Sequence, residues 1–127
     1  MSVSRETVLY FEPEGGARAA GMKSVLVRMG VRIKNIAPED AGQTVGCLLG
    51  RRGFDRSENT GLSVLAQPVL VLDGFTDKRL EILLREMKKA GVSIPYKAIV
   101  TETNIGWTLE NLYQELAAEH EAMSKNG

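Results

Sequence analysis

The chain has 127 residues, 43% apolar and 25% charged, a size and balance that suit one globular domain needing no disulfide or metal to fold. Its 16 basic residues match its 16 acidic ones, so no net field draws it onto nucleic acid or an anionic membrane, and neither is expected as a partner. Cys47 is the only cysteine and His120 the only histidine, which excludes an internal disulfide and a Cys/His zinc cluster; no metal and no cofactor is expected.

Met1 to Glu6 lacks the charged-then-apolar pattern of a signal peptide, and no apolar run approaches the ~20 residues that span a bilayer. A chain without disulfides suits a reducing cytoplasm. Cys47 lies in an apolar stretch and reads as buried filler.

In chain order, Thr7-Val8-Leu9-Tyr10-Phe11 is rich in β-branched and aromatic residues and predicts a strand, broken by Pro13, Gly15 and Gly16. Met22, Val25, Leu26 and Met29 form a helical stripe that Gly30 ends. Val31 to Ile36 predicts a second strand, with Arg32 and Lys34 marking a wet face or a sheet edge. Pro38 opens a predicted helix whose buried face is Ala41, Val45, Leu48 and Leu49, weakened by Gly42 and Gly46. Residues 51–67 are expected to form a long flexible loop. A domain boundary there is the competing reading, because each half has a strand-helix-strand-helix pattern. Each half is small to stand alone, which favours one domain over 1–127.

Pro68 to Leu72 is apolar on both faces, as a central strand covered by helices on both sides would be. Thr76 to Ala90 carries Leu80, Leu83, Leu84 and Met87 on one stripe and ends at Gly91. Tyr96 to Thr101 predicts the fourth strand. Thr108 to Met123 predicts the last helix, with Leu109, Leu112, Tyr113, Leu116 and His120 on its inner face. The expected fold is α/β: a single three-layer domain with a four-stranded parallel sheet, order 2-1-3-4, and helices on both faces. That layout is flavodoxin-like or receiver-like, and ligands bind there beyond the carboxyl ends of the strands. Glu12, Asp73 and Thr101 would line that rim, with Thr103 and Asn104 in the following loop.

Each candidate has a plainer structural reading. Phe75-Thr76 precedes Leu80 and Trp107-Thr108 precedes Leu112, so each threonine can cap a helix and each aromatic can staple it. Asp73 ends "VLVLD" as the phosphoacceptor of a receiver domain does, and Thr101 would match the hydroxyl residue of that family, with Glu12 and Glu14 standing in for its acids. No fifth strand follows to supply a lysine, so charge stabilisation of phosphoryl transfer is incomplete. "GARAAGMKS" nearly matches a phosphate-binding loop, but Met22 intrudes and turns Lys23 about 100° away. Gly15 and Gly16 could receive a small anion at the helix start. Arg51 and Arg52 complement the negative end of a helix or bind an acidic partner. His120 has no nucleophile placed for it.

From Val69 onward the stretches "LDGFTDKRLEILL", "PYKAIVTETNIGWTLENL" and "ELAAEHEAM" resemble a bacterial family known only as domain of unknown function 3783. "PEDAGQTVGCLLGRRGF" is similar to the region upstream in its longer members. The resemblance implies a compact bacterial cytoplasmic domain and carries no activity or catalytic residues with it. Together these readings favour a non-enzymatic binding or regulatory module acting on a protein partner, a small ligand or a second copy of itself as a homodimer. The alternative is a small-molecule or phosphate-binding protein or enzyme using the rim of Glu12, Asp73 and Thr101 to Asn104.

Overall fold

Apolar runs and amphipathic stripes alternate along the chain, and each becomes a strand or a helix. The computed structural model describes residues 6–13, 15–58 and 65–126. Strand β1 (Thr7–Phe11) leads to α1 (Gly16–Arg28), β2 (Arg32–Asn35), a short 3-10 turn (Pro38–Asp40) and α2 (Val45–Leu49). Then follow β3 (Val69–Asp73), α3 (Asp77–Lys89), β4 (Tyr96–Ile99), a second 3-10 turn (Asn104–Gly106) and α4 (Leu109–Asn126). Glu14 and the stretch 59–64, which includes Leu62, lie outside the described residues, as do Met1 to Arg5.

Every residue of β1 is buried, and period two sends Val8 and Tyr10 to one face and Leu9 and Phe11 to the other. Leu70 and Leu72 of β3 join the first face, and Val69 and Val71 the second. On the first face α1 and α3 contribute Met22, Val25, Leu26, Leu83 and Met87. On the second, Ala41, Val45 of α2 and Leu109 and Leu112 of α4 close the core. The three layers are as the alternation predicts.

The strand order is β2-β1-β3-β4, as expected, but the sheet is mixed. β1 and β2 are parallel, β3 and β4 are parallel, and the central pair β1 and β3 is antiparallel, in register from Thr7 opposite Asp73 to Phe11 opposite Val69. The all-parallel, flavodoxin-like or receiver-like arrangement is therefore corrected. The cause lies in the connection. Arg51, just past α2, reaches Asp73 at one end of the sheet, whereas β3 begins at the other end, beside Phe11. β2 ends at the Phe11 end, α2 carries the chain to the Asp73 end, and β3 starts back at the Phe11 end, where β1 stops.

The two halves are the same unit, related by a local two-fold axis. α1 and α3 each have 13 residues. Each ends at a left-handed glycine, Gly30 (φ 74°) or Gly91 (φ 71°), followed by a buried valine whose N–H bonds back to the helix: Val31 to Leu26 O at 3.0 Å, Val92 to Met87 O at 2.9 Å. Each parallel strand pair is followed by a 3-10 turn and a threonine that caps the next helix. Reciprocal bonds join the two caps: Val45 N–H to Trp107 O at 2.8 Å and Leu109 N–H to Gln43 O at 3.0 Å. The axis passes between Leu9 and Val71, which face each other, and between Thr44 and Thr108, which form an isolated antiparallel bridge.

The helix expected from Pro38 to Leu49 is split. Thr44 accepts a bond from Cys47 N–H at 3.1 Å and starts α2 afresh. Gly46 is buried and the Phe54 ring lies on it: a β-carbon there would collide with the ring. That single contact explains a glycine that helix propensity counts against. Gly46→Ala should therefore lower stability by about 1–3 kcal/mol through overpacking, instead of gaining from better helix propensity. In a Phe54→Ala background most of this loss should vanish. Urea unfolding of the four variants of the cycle measures both terms.

Candidate functional site

The antiparallel central pair divides the expected rim. The carboxyl ends of β3 and β4 carry Asp73 and Thr101, but Glu12, past the end of β1, lies at the opposite end of the sheet. Glu12, Asp73 and Thr101 therefore do not converge on one reacting atom.

Each sheet end holds one nearly buried glutamate in an arginine fork. Arg18 donates from Nε and Nη2 to the two Glu12 oxygens, both at 2.7 Å, and the Tyr10 hydroxyl donates to Glu12 at 2.7 Å. Burial, then that neighbouring carboxylate, pushes the Tyr10 phenol well above its ordinary range. At the other end Arg79 donates in the same way to Glu6, again at 2.7 Å twice, and its Nη2 also bonds Met29 O. Its hydrogen bond to Glu6 raises the Arg79 pKa further above its already high ordinary value. Arg18 and Arg79 are each the third residue of their helix, so the unit's repetition places both. Bidentate forks of this kind fix geometry and are stronger than single hydrogen bonds. The Glu6 pair leaves no local signal in the sequence, because its partners lie 73 residues apart.

Asp73 is paired with Arg51, so two candidates for ligand contact hold each other. Thr101 and Asn104 are likewise mutually engaged. Asn104 Oδ1 accepts from Thr101 N–H at 2.8 Å, Thr101 Oγ1 accepts from Asn104 N–H at 3.0 Å, and Asn104 Nδ2 donates to Ile99 O at 2.9 Å. Asn104 is 8% exposed. This exchange closes the turn between β4 and α4. Thr103 and Arg52 are exposed. Gly15 and Gly16 have positive φ, 67° and 75°, and turn the chain into α1, which is already helical from Gly16. Ala17 to Ser24 is thus helix, and the near-match to a phosphate-binding loop has no loop.

The cap expectations hold for both threonines. Thr76 Oγ1 accepts from Arg79 N–H and Thr108 Oγ1 from Asn111 N–H, each at 3.1 Å. Phe75 and Leu80 pack on one core face, Trp107 and Leu112 on the other. His120, expected on the inner face, is exposed, its ring centroid 5.5 Å from that of Tyr96. The expected loop is tethered at several points. Gln43 bonds the Ser57 backbone both ways at 2.8 Å, Leu65 is buried, and the Tyr113 hydroxyl accepts from Ala66 and Gln67 N–H at 3.2 Å. Among the described residues no three His, Cys, Asp or Glu side chains are grouped to hold a metal.

What remains open is a surface. β4 pairs with β3 on one side only, and a groove beside it is lined by Leu72, Leu80, Leu84, Lys97, Ala98 and Ile99. Lys97 folds back to donate to Ile94 O at 2.6 Å, and its burial lowers the ammonium pKa below the usual lysine range.

Fold and geometry thus define a small three-layer α/β domain made of two like units, with Glu6, Glu12, Asp73, Thr101 and Asn104 engaged internally and, among the described residues, an apolar edge open beside β4. Residues 68–123 match the family model described as "Domain of unknown function (DUF3783)", so the family expected from "KAIVTETNIGWT" is shown for the second half of the chain. The match spans one of the two units, from the start of β3 into α4. No curated protein and no solved structure matches the chain. No helix among the described residues is long and apolar enough to cross a membrane.

If Asn104 closes the turn, Asn104→Ala should cost about 2–3 kcal/mol, since it strands the Thr101 N–H and the Ile99 carbonyl. Thr103→Ala, at an exposed neighbour, should change stability by less than about 0.5 kcal/mol. Chemical denaturation of the two variants side by side checks the contrast.

Proposed function

We propose that the chain is a non-enzymatic binding or regulatory module of the bacterial cytoplasm that works through a surface. The observation that carries this reading is the internal engagement of its reactive groups. Asp73 is held by Arg51, Glu12 by Arg18 and Tyr10, and Thr101 by Asn104. A general acid or base needs a free path to a reacting proton, and a nucleophile needs a base beside it. An open apolar edge next to these satisfied groups supports contact with another macromolecule.

A second reading is a small-anion site at the Asp73 end. It is favoured by Arg51, whose side chain is 47% exposed there and would be released if an anion displaced Asp73. The two readings separate in an assay with chromogenic phosphoester, ester and glycoside substrates, with and without magnesium. The expected result is no turnover above a heat-denatured control, and no thermal shift with inorganic phosphate up to 10-millimolar order, roughly the range of weak sites. A rate or a phosphate shift that disappears in Arg51→Ala or Asp73→Asn would contradict the module and support the anion site.

A further inference from the structure

The repeated unit supplies an internal control for the open edge. β2 and β4 are the two outer strands, occupying equivalent places in the two units. The parallel registers pair Val8 with Ile33 and Tyr10 with Asn35 in one unit, and Leu70 with Lys97 and Leu72 with Ile99 in the other. Asn35 and Ile99 are thus equivalent positions. Counting back from the two helix-ending glycines, Lys23 of α1 is equivalent to Leu84 of α3. Where the first edge shows Lys23 and Asn35, the second shows Leu84, 41% exposed, and Ile99, 45% exposed. At these two positions the second unit is apolar where the first is polar; at two neighbouring ones the order is reversed, with Val27 and Ile33 standing where Lys88 and Lys97 do.

α3 adds a charge pattern centred on that spot. Asp77, Glu81, Leu84 and Lys88 follow one another at spacings of four, three and four residues, so they share one stripe, and all are exposed. The stripe is acidic before Leu84 and basic after it. Such a stripe complements itself when a second helix lies antiparallel with Leu84 on the axis: Glu81 of one copy then faces Lys88 of the other, twice. Leu84 lines the same groove as Lys97, Ala98 and Ile99, so one axis can serve helix and strand together. An antiparallel pair of β4 strands centred on Ala98 sets Lys97 against the Ile99 of the other copy, its aliphatic stem covering the isoleucine. Lys97 is the charge that would otherwise blunt this edge, and its ammonium is already turned back onto Ile94 O. On the opposite face Glu115 and Glu119 of α4 border the edge, so repulsion between symmetry mates confines close packing to the α3 side.

We infer that the edge formed by β4 and α3 takes a second copy of this chain, giving an isologous dimer with Leu84 and Ala98 near its two-fold axis and a continuous eight-stranded sheet, the sum of two four-stranded ones. The inference rests on the reading of the chain as a module that works through a surface, and it names the partner.

Sedimentation velocity over a dilution series of the full chain tests it. The wild type is expected to shift from monomer to dimer with concentration. Leu84→Glu and Ile99→Lys, both at exposed positions, should remain monomeric with an unchanged circular dichroism spectrum. Glu81→Lys and Lys88→Glu should each weaken association by at least about tenfold, since each turns two attractive pairs repulsive. The double variant Glu81→Lys/Lys88→Glu should recover it, which is the signature of self-complementary charge. A wild type that stays monomeric throughout, including one whose edge binds a different protein, overturns the inference. So does a dimer indifferent to the charge swap. Either result leaves the non-enzymatic reading standing if the substrate assay is silent; turnover at Asp73 would remove that reading without touching the dimer.

Discussion

Most of this structure depends on the antiparallel pairing of β1 with β3. Both strands are apolar on both faces, so each must be covered by helices twice over and can be stable only in the middle of a sheet. Pairing them antiparallel lays one βαβα unit against its own rotated image. Glu6 and Arg79, Arg51 and Asp73, and the bonds between the Thr44 and Thr108 caps all cross between units, so each unit completes the other. Neither unit has a whole core: Val8 and Leu70 share one cluster, Leu9 and Val71 the other.

The same pairing dictates the electrostatics. In an all-parallel sheet every strand would point its carboxyl end at one rim. Here one rim is split into two, and each receives the carboxyl ends of one unit beside the amino ends of the other. Carboxylates that would converge are separated, and Glu6, Glu12 and Asp73 are each met by an arginine. Glu6 and Glu12 are nearly buried, and such charges persist only when paired and hydrogen-bonded. These groups hold the architecture.

Local physics made much of this legible in the sequence. Period-two and period-3.6 patterns marked all four strands and the long helices, the glycines after α1 and α3 marked their ends, and Thr76 and Thr108 marked two starts. Strand order followed from the apolar β3 and the charged β2. Strand direction did not, because the connection between α2 and β3 carries no periodic signal. The split before α2 was hidden because Pro38 reads as a helix start whether one turn follows or four. Gly46 counts against a helix by propensity alone, and the Phe54 ring that requires it lies in an irregular stretch beyond the helix. The duty of the loop after β4 was hidden for a different reason: the exchange between Thr101 and Asn104 is local, but its spacing also fits a ligand loop. The repetition of the unit was visible as a pattern of elements, and only three-dimensional equivalence showed that Lys23 stands for Leu84 and Asn35 for Ile99.

The direction of the central pair can be measured directly. Antiparallel neighbours have α-carbons about 4.5–5.5 Å apart, within the range a disulfide spans. In a Cys47→Ala background, cysteines at Thr7 and Asp73 should form an intramolecular disulfide under mild oxidation, and cysteines at Thr7 and Val69 should not. Cross-linking of Thr7 with Val69 but not with Asp73 would contradict the antiparallel pair, and with it the account of two rims and one repeated unit.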